Sequence, residues 1–134
     1  MTIAYTIIAC ASLIAVDGDT IRCDGETMRL LGAGAPYVSG IDAPEMDGKC
    51  LAERMLAQLA RKRLQELLSQ PGVKVESSGE RDLTSSRRLL VRVRLSDAGF
   101  AGQVLIEEGL AVEWRPGKIV DWCALYPTSR LPDR

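Results

Sequence analysis

The sequence predicts a small α+β domain, mainly β, in which five strands close into a barrel accompanied by two or three helices. Two observations in the residue pattern carry this. Short runs of alternating or β-branched residues recur between turn signals, and two further stretches carry helical spacing instead. A third comes from length: 134 residues suffice for one hydrophobic core and are too few for two ordinary ones, so the chain reads as a single domain over 1–134.

The first strand lies within residues 1–16, over about 5–16, a run rich in Ile and Thr. This run has no basic n-region and leads straight into Asp17-Gly18-Asp19-Thr20, so it reads as a strand rather than a secretory leader. Asp17-Gly18 is a strong hairpin signal, with Gly18 available for positive φ. Residues 20–23 form the second strand, and Asp24-Gly25 turns the chain into a third over 27–31. Residues 48–69 predict a helix with Ala52, Leu56, Leu59, Leu64 and Leu67 on one face, Asp47 as a candidate N-cap and Pro71-Gly72 as the stop. Residues 73–76 form a fourth strand and 88–95 a fifth. In the fifth, Leu89, Val91, Val93 and Leu95 alternate with Leu90, Arg92, Arg94 and Ser96, which turns the odd positions to the core. A short helix over 101–108 ends at Gly109, and 115–134 make a C-terminal tail. No stretch is long and apolar enough to span a membrane.

Composition removes several chemistries. Seventeen basic against 18 acidic side chains give a net charge of −1, which is not the footprint of bulk electrostatic binding to nucleic acid and leaves room only for a local positive site. The run Arg61-Lys62-Arg63 reads as a solvated helix face. The absence of histidine excludes Ser–His and Cys–His nucleophile pairs and His-ligated zinc. Cys10, Cys23, Cys50 and Cys123 form no CxxC pair. They allow two disulfides in three connectivities, or four buried thiols, and a Cys50–Cys123 bridge would tie the long helix to the tail.

What remains is a set of carboxylates and guanidinium groups: Asp19, Arg29, Asp42, Glu45 and either Arg87 or Arg88. Carboxylate oxygens suit Ca²⁺, arginine forks suit phosphate oxygens, and a spare carboxylate can take a proton from water. Singly, each has a plainer reading. Asp17 and Asp19-Thr20 are turn chemistry, Pro44-Glu45 precede a helix, and an isolated arginine is surface charge. Tyr37 and Trp114 are available for stacking on bases, although ordinary packing explains them as well.

Taken together, the strings VDGDTIRC, MRLLG, GIDAPE and RRLLVRVRL, in this order over about residues 12–114, resemble the staphylococcal nuclease (thermonuclease) family. The resemblance implies an OB-fold barrel and a Ca²⁺-dependent endonuclease that hydrolyses single-stranded DNA and RNA with little sequence specificity, acting as a monomer. It implies metal ligation by Asp19, Asp42 and the Ala43 backbone carbonyl, general-base catalysis by Glu45, and phosphate binding by Arg29 and a second arginine. The family's second arginine lies opposite the core face of its strand, so strand parity selects Arg88 over Arg87. Two departures stand out. Residues 32–40 (GAGAPYVSG) are an insertion, expected to leave as a surface excursion that keeps Asp42 beside Asp19. The loop Asp82-Leu83-Thr84-Ser85-Ser86 replaces a family loop with a basic residue, a tyrosine and a glycine. The alternative is a catalytically weak or inactive binding module of the same fold. The compartment is exported or periplasmic if a leader has been removed, and cytoplasmic otherwise.

Overall fold

The computed structural model describes residues 4–32, 40–97, 99–114 and 120–125. Tyr37, most of the insertion and most of the C-terminal tail lie outside the described residues. The elements are β1 (Thr6–Ile8), β2 (Leu13–Asp17), β3 (Thr20–Cys23), β4 (Glu26–Leu30), β5 (Ile41–Asp42), α1 (Leu51–Leu68), β6 (Lys74–Ser77), β7 (Leu89–Arg94), α2 (Ala101–Glu107), β8 (Val112–Glu113) and α3 (Trp122–Leu125). Six strands form one mixed sheet in the order β1-β6-β7-β4-β3-β2, and β5 pairs with β8 separately. Only β4 and β7 run parallel within the larger sheet.

The expected single first strand is two strands, β1 and β2, placed at opposite edges of the sheet. The break has a specific cause. The Asp24 carboxylate accepts the N–H groups of Ala11 (3.2 Å) and Ser12 (2.7 Å), which are thereby withdrawn from any ladder. A Cys10–Cys23 disulfide holds the same corner. This link also dictates curvature. Laid flat, six strands would separate the edges by roughly 24 Å. The chain from Ile8 to Leu13 reaches only about 17 Å at full extension. The sheet must therefore curl, and the domain is a barrel-like α+β structure.

In the fifth predicted strand, now β7, Val91, Val93 and Leu95 are buried as expected with Ile21, Met28 and Leu30 of β3 and β4, and Leu89 packs against them partly buried. Leu90, expected on the other face, is buried as well. Leu64 and Leu67 of α1 and Leu105 of α2 complete the same core. On the other face of the sheet, Glu76 accepts hydrogen bonds from Arg92 (2.6 Å) and Arg94 (3.2 Å), while the Arg92 guanidinium lies 3.5 Å from the Tyr5 ring centroid. Burial opposes ionisation of Glu76, but the hydrogen bonds from Arg94 and Arg92 outweigh it and hold the carboxyl below its ordinary range.

The helix keeps Ala52, Leu64 and Leu67 buried as expected, but its start differs. Leu59 is 55% exposed and Leu56 only partly buried, and the stripe is completed by Glu53, Ala57, Ala60 and Leu68. Alanines line it because α1 lies hard against the β2–β3 turn. A Cβ on Gly18 would sit 2.7 Å from the Ala60 Cβ and 2.8 Å from the Ala43 Cβ. Gly18 is thus required by close approach, and it is not among the positive-φ residues. The turn that needs left-handed backbone is Asp24-Gly25, at φ 50° and 90°. The helix cap is Cys50 rather than Asp47, and a second disulfide joins Cys50 to Cys123 beside α3. No helix among the described residues is long and apolar enough to cross a membrane.

Gly18→Ala tests this packing. Both obstructing methyls are rigidly attached to backbone, so the added methyl should overpack the contact and cost about 1–3 kcal/mol. Chemical denaturation should show a lowered midpoint with an unchanged slope.

Candidate functional site

Backbone register assembles the site. The β3–β4 pairing sets Thr20 opposite Arg29, and the parallel β4–β7 pairing sets Arg29 opposite Leu90, two residues beyond Arg88. The chain returns from the insertion through β5, where Asp42 pairs with Val112 of β8. Asp19 then joins the two segments. Its Oδ2 accepts the Ala43 N–H at 3.0 Å, and its Oδ1 accepts the Thr20 hydroxyl at 2.8 Å. The insertion therefore leaves residues 42–43 beside Asp19, as the sequence reading expects. The group of Ala43 engaged with Asp19 is its N–H.

The two arginine candidates differ in environment. Arg88 donates from Nε to Asp82 (3.0 Å) and from Nη1 to the Thr20 hydroxyl (3.3 Å), so it is linked through Thr20 to Asp19. Arg87 is exposed, stands in left-handed backbone at φ 47°, and forms part of the 81–88 turn. Of the two, Arg88 is the one linked by hydrogen bonds to Thr20 and, through it, to Asp19. Asp82, only 2% exposed at its side chain, anchors that turn by also accepting the Thr84 hydroxyl and N–H. Burial opposes its ionisation, but the hydrogen bonds of Thr84 and Arg88 outweigh this and hold its carboxyl low.

Arg29 is buried, at 7% exposure. One guanidinium nitrogen donates to the Ile41 carbonyl at 3.0 Å, and the Trp114 ring centroid lies 5.9 Å away. Its Nε is buried and has no hydrogen-bond partner among the described residues. The same nitrogen stands 2.8 Å from the position of a Cβ on Gly40, so a side chain there would collide with it.

The carboxylates repel one another. Burial, a hydrogen bond to Asp19 and the Asp19 charge push Asp17 up to about 7. Burial and the Asp19 charge raise Asp42, partly offset by Arg29. Glu45 is exposed at the rim, yet partial desolvation and the charges of Asp19 and Asp42 raise it as well. A cleft of about 560 Å³ opens beside them, with Asp42, Glu45 and Glu53 on one side and Trp122 of α3 on the other. Asp19, Asp42 and Glu45 are hard-oxygen donors, the type of group that could contribute to holding a divalent cation. Among the described residues no three acidic or cysteine side chains are grouped so that they could hold a metal ion by themselves. A cation here would therefore take part of its shell from backbone, water or phosphate oxygens.

Three contributors escape the sequence reading. Asp17, read as a turn residue, is part of the acidic cluster. Glu53 occupies the third helical position, where a reach-back to preceding amides is a recognised signal. Asp82 precedes Thr84 in a local turn pattern that marks the loop without naming its arginine partner. Comparison with known proteins finds no matching family model and no matching curated protein.

The raised Asp17 carboxyl has a definite pH consequence. The folded protein keeps a proton that the unfolded chain releases above its ordinary value of 3.8, up to about 7. Metal-free stability should therefore fall as pH rises through that window, with Asp42 and Glu45 contributing in the same direction. Asp17→Asn should flatten the decline, as read by thermal melts in EDTA from acidic to neutral pH.

Proposed function

We propose that this protein is a staphylococcal-nuclease-like phosphodiesterase, a Ca²⁺-dependent nuclease that hydrolyses single-stranded DNA and RNA with little regard to sequence. The observation that carries the reading is a buried arginine donor without a hydrogen-bond partner among the described residues, the Nε of Arg29, close to carboxylates whose charges its own only partly offsets. A buried unsatisfied donor costs about 1–3 kcal/mol, and more when charged. A phosphate oxygen would satisfy it, and a cation would relieve the carboxylates. A phosphodiester with its metal ion supplies both at once. The strand order supports an OB-type barrel: the N-terminal segment contributes to both sheet edges, and β4 runs parallel to β7.

When bound, Ca²⁺ would neutralise charge on the scissile phosphate, with Asp19 and Asp42 as its side-chain ligands and the Ala43 carbonyl as a backbone ligand. Arg29 and Arg88 would donate to phosphate oxygens as negative charge builds in the transition state. Asp82 holds Arg88 through Nε and the Thr20 hydroxyl accepts from Nη1, which leaves Nη2 as the donor that would turn toward substrate. Glu45, at the open rim, would accept a proton from the attacking water. Its raised pKa brings it toward the neutral range in which general bases work best.

A non-catalytic binding module of the same fold is favoured by one feature. The loop over residues 82–86 presents no cation at its tip, where Leu83 is 76% exposed. Denatured DNA incubated with Ca²⁺, and in parallel with EDTA, separates the two readings. Degradation that stops on chelation supports the enzyme. Equal activity in EDTA, or none with any divalent ion, removes it, and retained binding without cleavage selects the module. Within the enzyme reading, Arg88→Ala should reduce turnover roughly a hundredfold, the scale of losing one transition-state donor. Arg87→Ala should change it little, and a larger loss at Arg87 than at Arg88 would refute the assignment.

A further inference from the structure

The loop that carries Glu45 is built around one buried carboxylate. Glu53 is 8% exposed, and among the described residues no lysine or arginine forms an ion pair with it. Its partners are backbone amides instead. Oε2 accepts the Glu45 N–H at 3.1 Å, and Oε1 accepts the Lys49 N–H at 3.2 Å. The loop closes on the side chain so tightly that a Cβ on Gly48 would lie 2.5 Å from both Cγ and Cδ of Glu53. Arg54, the next helical residue, holds the Gly48 carbonyl at 2.9 Å.

A buried carboxylate without a counter-cation is costly. Two features offset the cost here. Glu53 lies in the first turn of α1, where the positive end of the helix dipole favours an anion. An ionised carboxylate is also acceptor-only, so both oxygens can take an N–H at once. A glutamine at this position could accept only one, because its NH₂ would face the other donor.

We propose that Glu53 is the positioning residue for Glu45. Its carboxylate clamps the main chain of residues 45–49 onto α1 and so fixes the Glu45 side chain at the mouth of the cleft shared with Asp42. The clamp explains why a rim residue on an irregular loop can hold a set place relative to the strands. It rests on the reading of Glu45 as general base given above, but the clamp itself is measurable without any activity.

The test uses Glu53→Gln, with Gly48→Ala as a second variant that attacks the clamp from the loop side. Amide hydrogen exchange should show loss of protection at Glu45 or Lys49 in both variants, while core amides of β3 and β7 stay protected. With single-stranded DNA and Ca²⁺, kcat should fall by up to about a hundredfold, the scale of an ångström-level misplacement, with KM little changed. The decisive comparison is a cycle with Glu45→Gln. If Glu53 acts through Glu45, the double variant should turn over no more slowly than Glu45→Gln alone. Unchanged protection at both amides, wild-type kcat in folded Glu53→Gln, or losses that multiply in the double variant would each overturn the proposal. Should the wild-type protein cleave nothing under any divalent ion, the nuclease reading fails separately, and amide exchange alone decides whether the clamp exists.

Discussion

Two parts of the molecule meet in the space left by the missing side chain of Gly18. The Ala60 methyl of α1 and the Ala43 methyl of the segment after β5 both come to rest there. The contact fixes the depth at which the helix sits on the sheet. It also brings residue 43 against the turn that bears Asp19, where the Ala43 N–H meets the Asp19 carboxylate. The acidic cluster therefore depends on a steric fit before it depends on any charge. The Glu45 loop hangs from the same helix through Glu53, so its position too follows from the seating of α1.

Electrostatically the site is unbalanced in a directed way. Burial first, and then the charges of neighbouring carboxylates, raise the Asp17, Asp42 and Glu45 carboxyls. The site's two arginines cancel those charges only in part, the Arg29 charge lowering Asp42. Arg88 pairs with Asp82, outside the cluster, and Arg29 spends a donor on a backbone carbonyl while Nε stays unpaired. A fold selected for stability alone would turn those guanidinium groups onto the carboxylates. Groups of both signs thus stand within one small region without full pairing among the described residues.

The features legible in the sequence were those set by neighbours along the chain. The period of two in β7 placed Val91 and Val93 inside and put Arg88 on the site face, because alternation is a property of adjacent residues. The order of turns around β2, β3 and β4 was readable for the same reason. The division of the first strand was not, because it depends on a carboxylate from Asp24, beyond the next strand. The buried face of α1 was misread in part because apolarity ranks leucine above alanine, whereas the approach to Gly18 admits only small groups. At the site, Asp19, Arg29, Asp42, Glu45 and Arg88 were picked out by residue type and spacing. Glu53 and Asp82 were missed because their work is to accept hydrogen bonds from their own backbone surroundings, which leaves a faint mark on composition.

The two disulfides act on the molecule when it is not folded. Cys10 and Cys23 lie 13 residues apart and close a small corner, whereas Cys50 and Cys123 are 73 apart and enclose α1, β6, β7, α2 and β8 in one covalent ring. Loop-closure entropy makes a ring of that size worth about 4 kcal/mol and the smaller one about 3 kcal/mol, both by restricting the denatured ensemble. Such gains are of the same order as the whole net stability of a small domain. The chain can therefore tolerate an acidic cluster and an unpaired buried donor, but only where thiols stay oxidised. In a reducing medium the same sequence would have to fold on its packing alone.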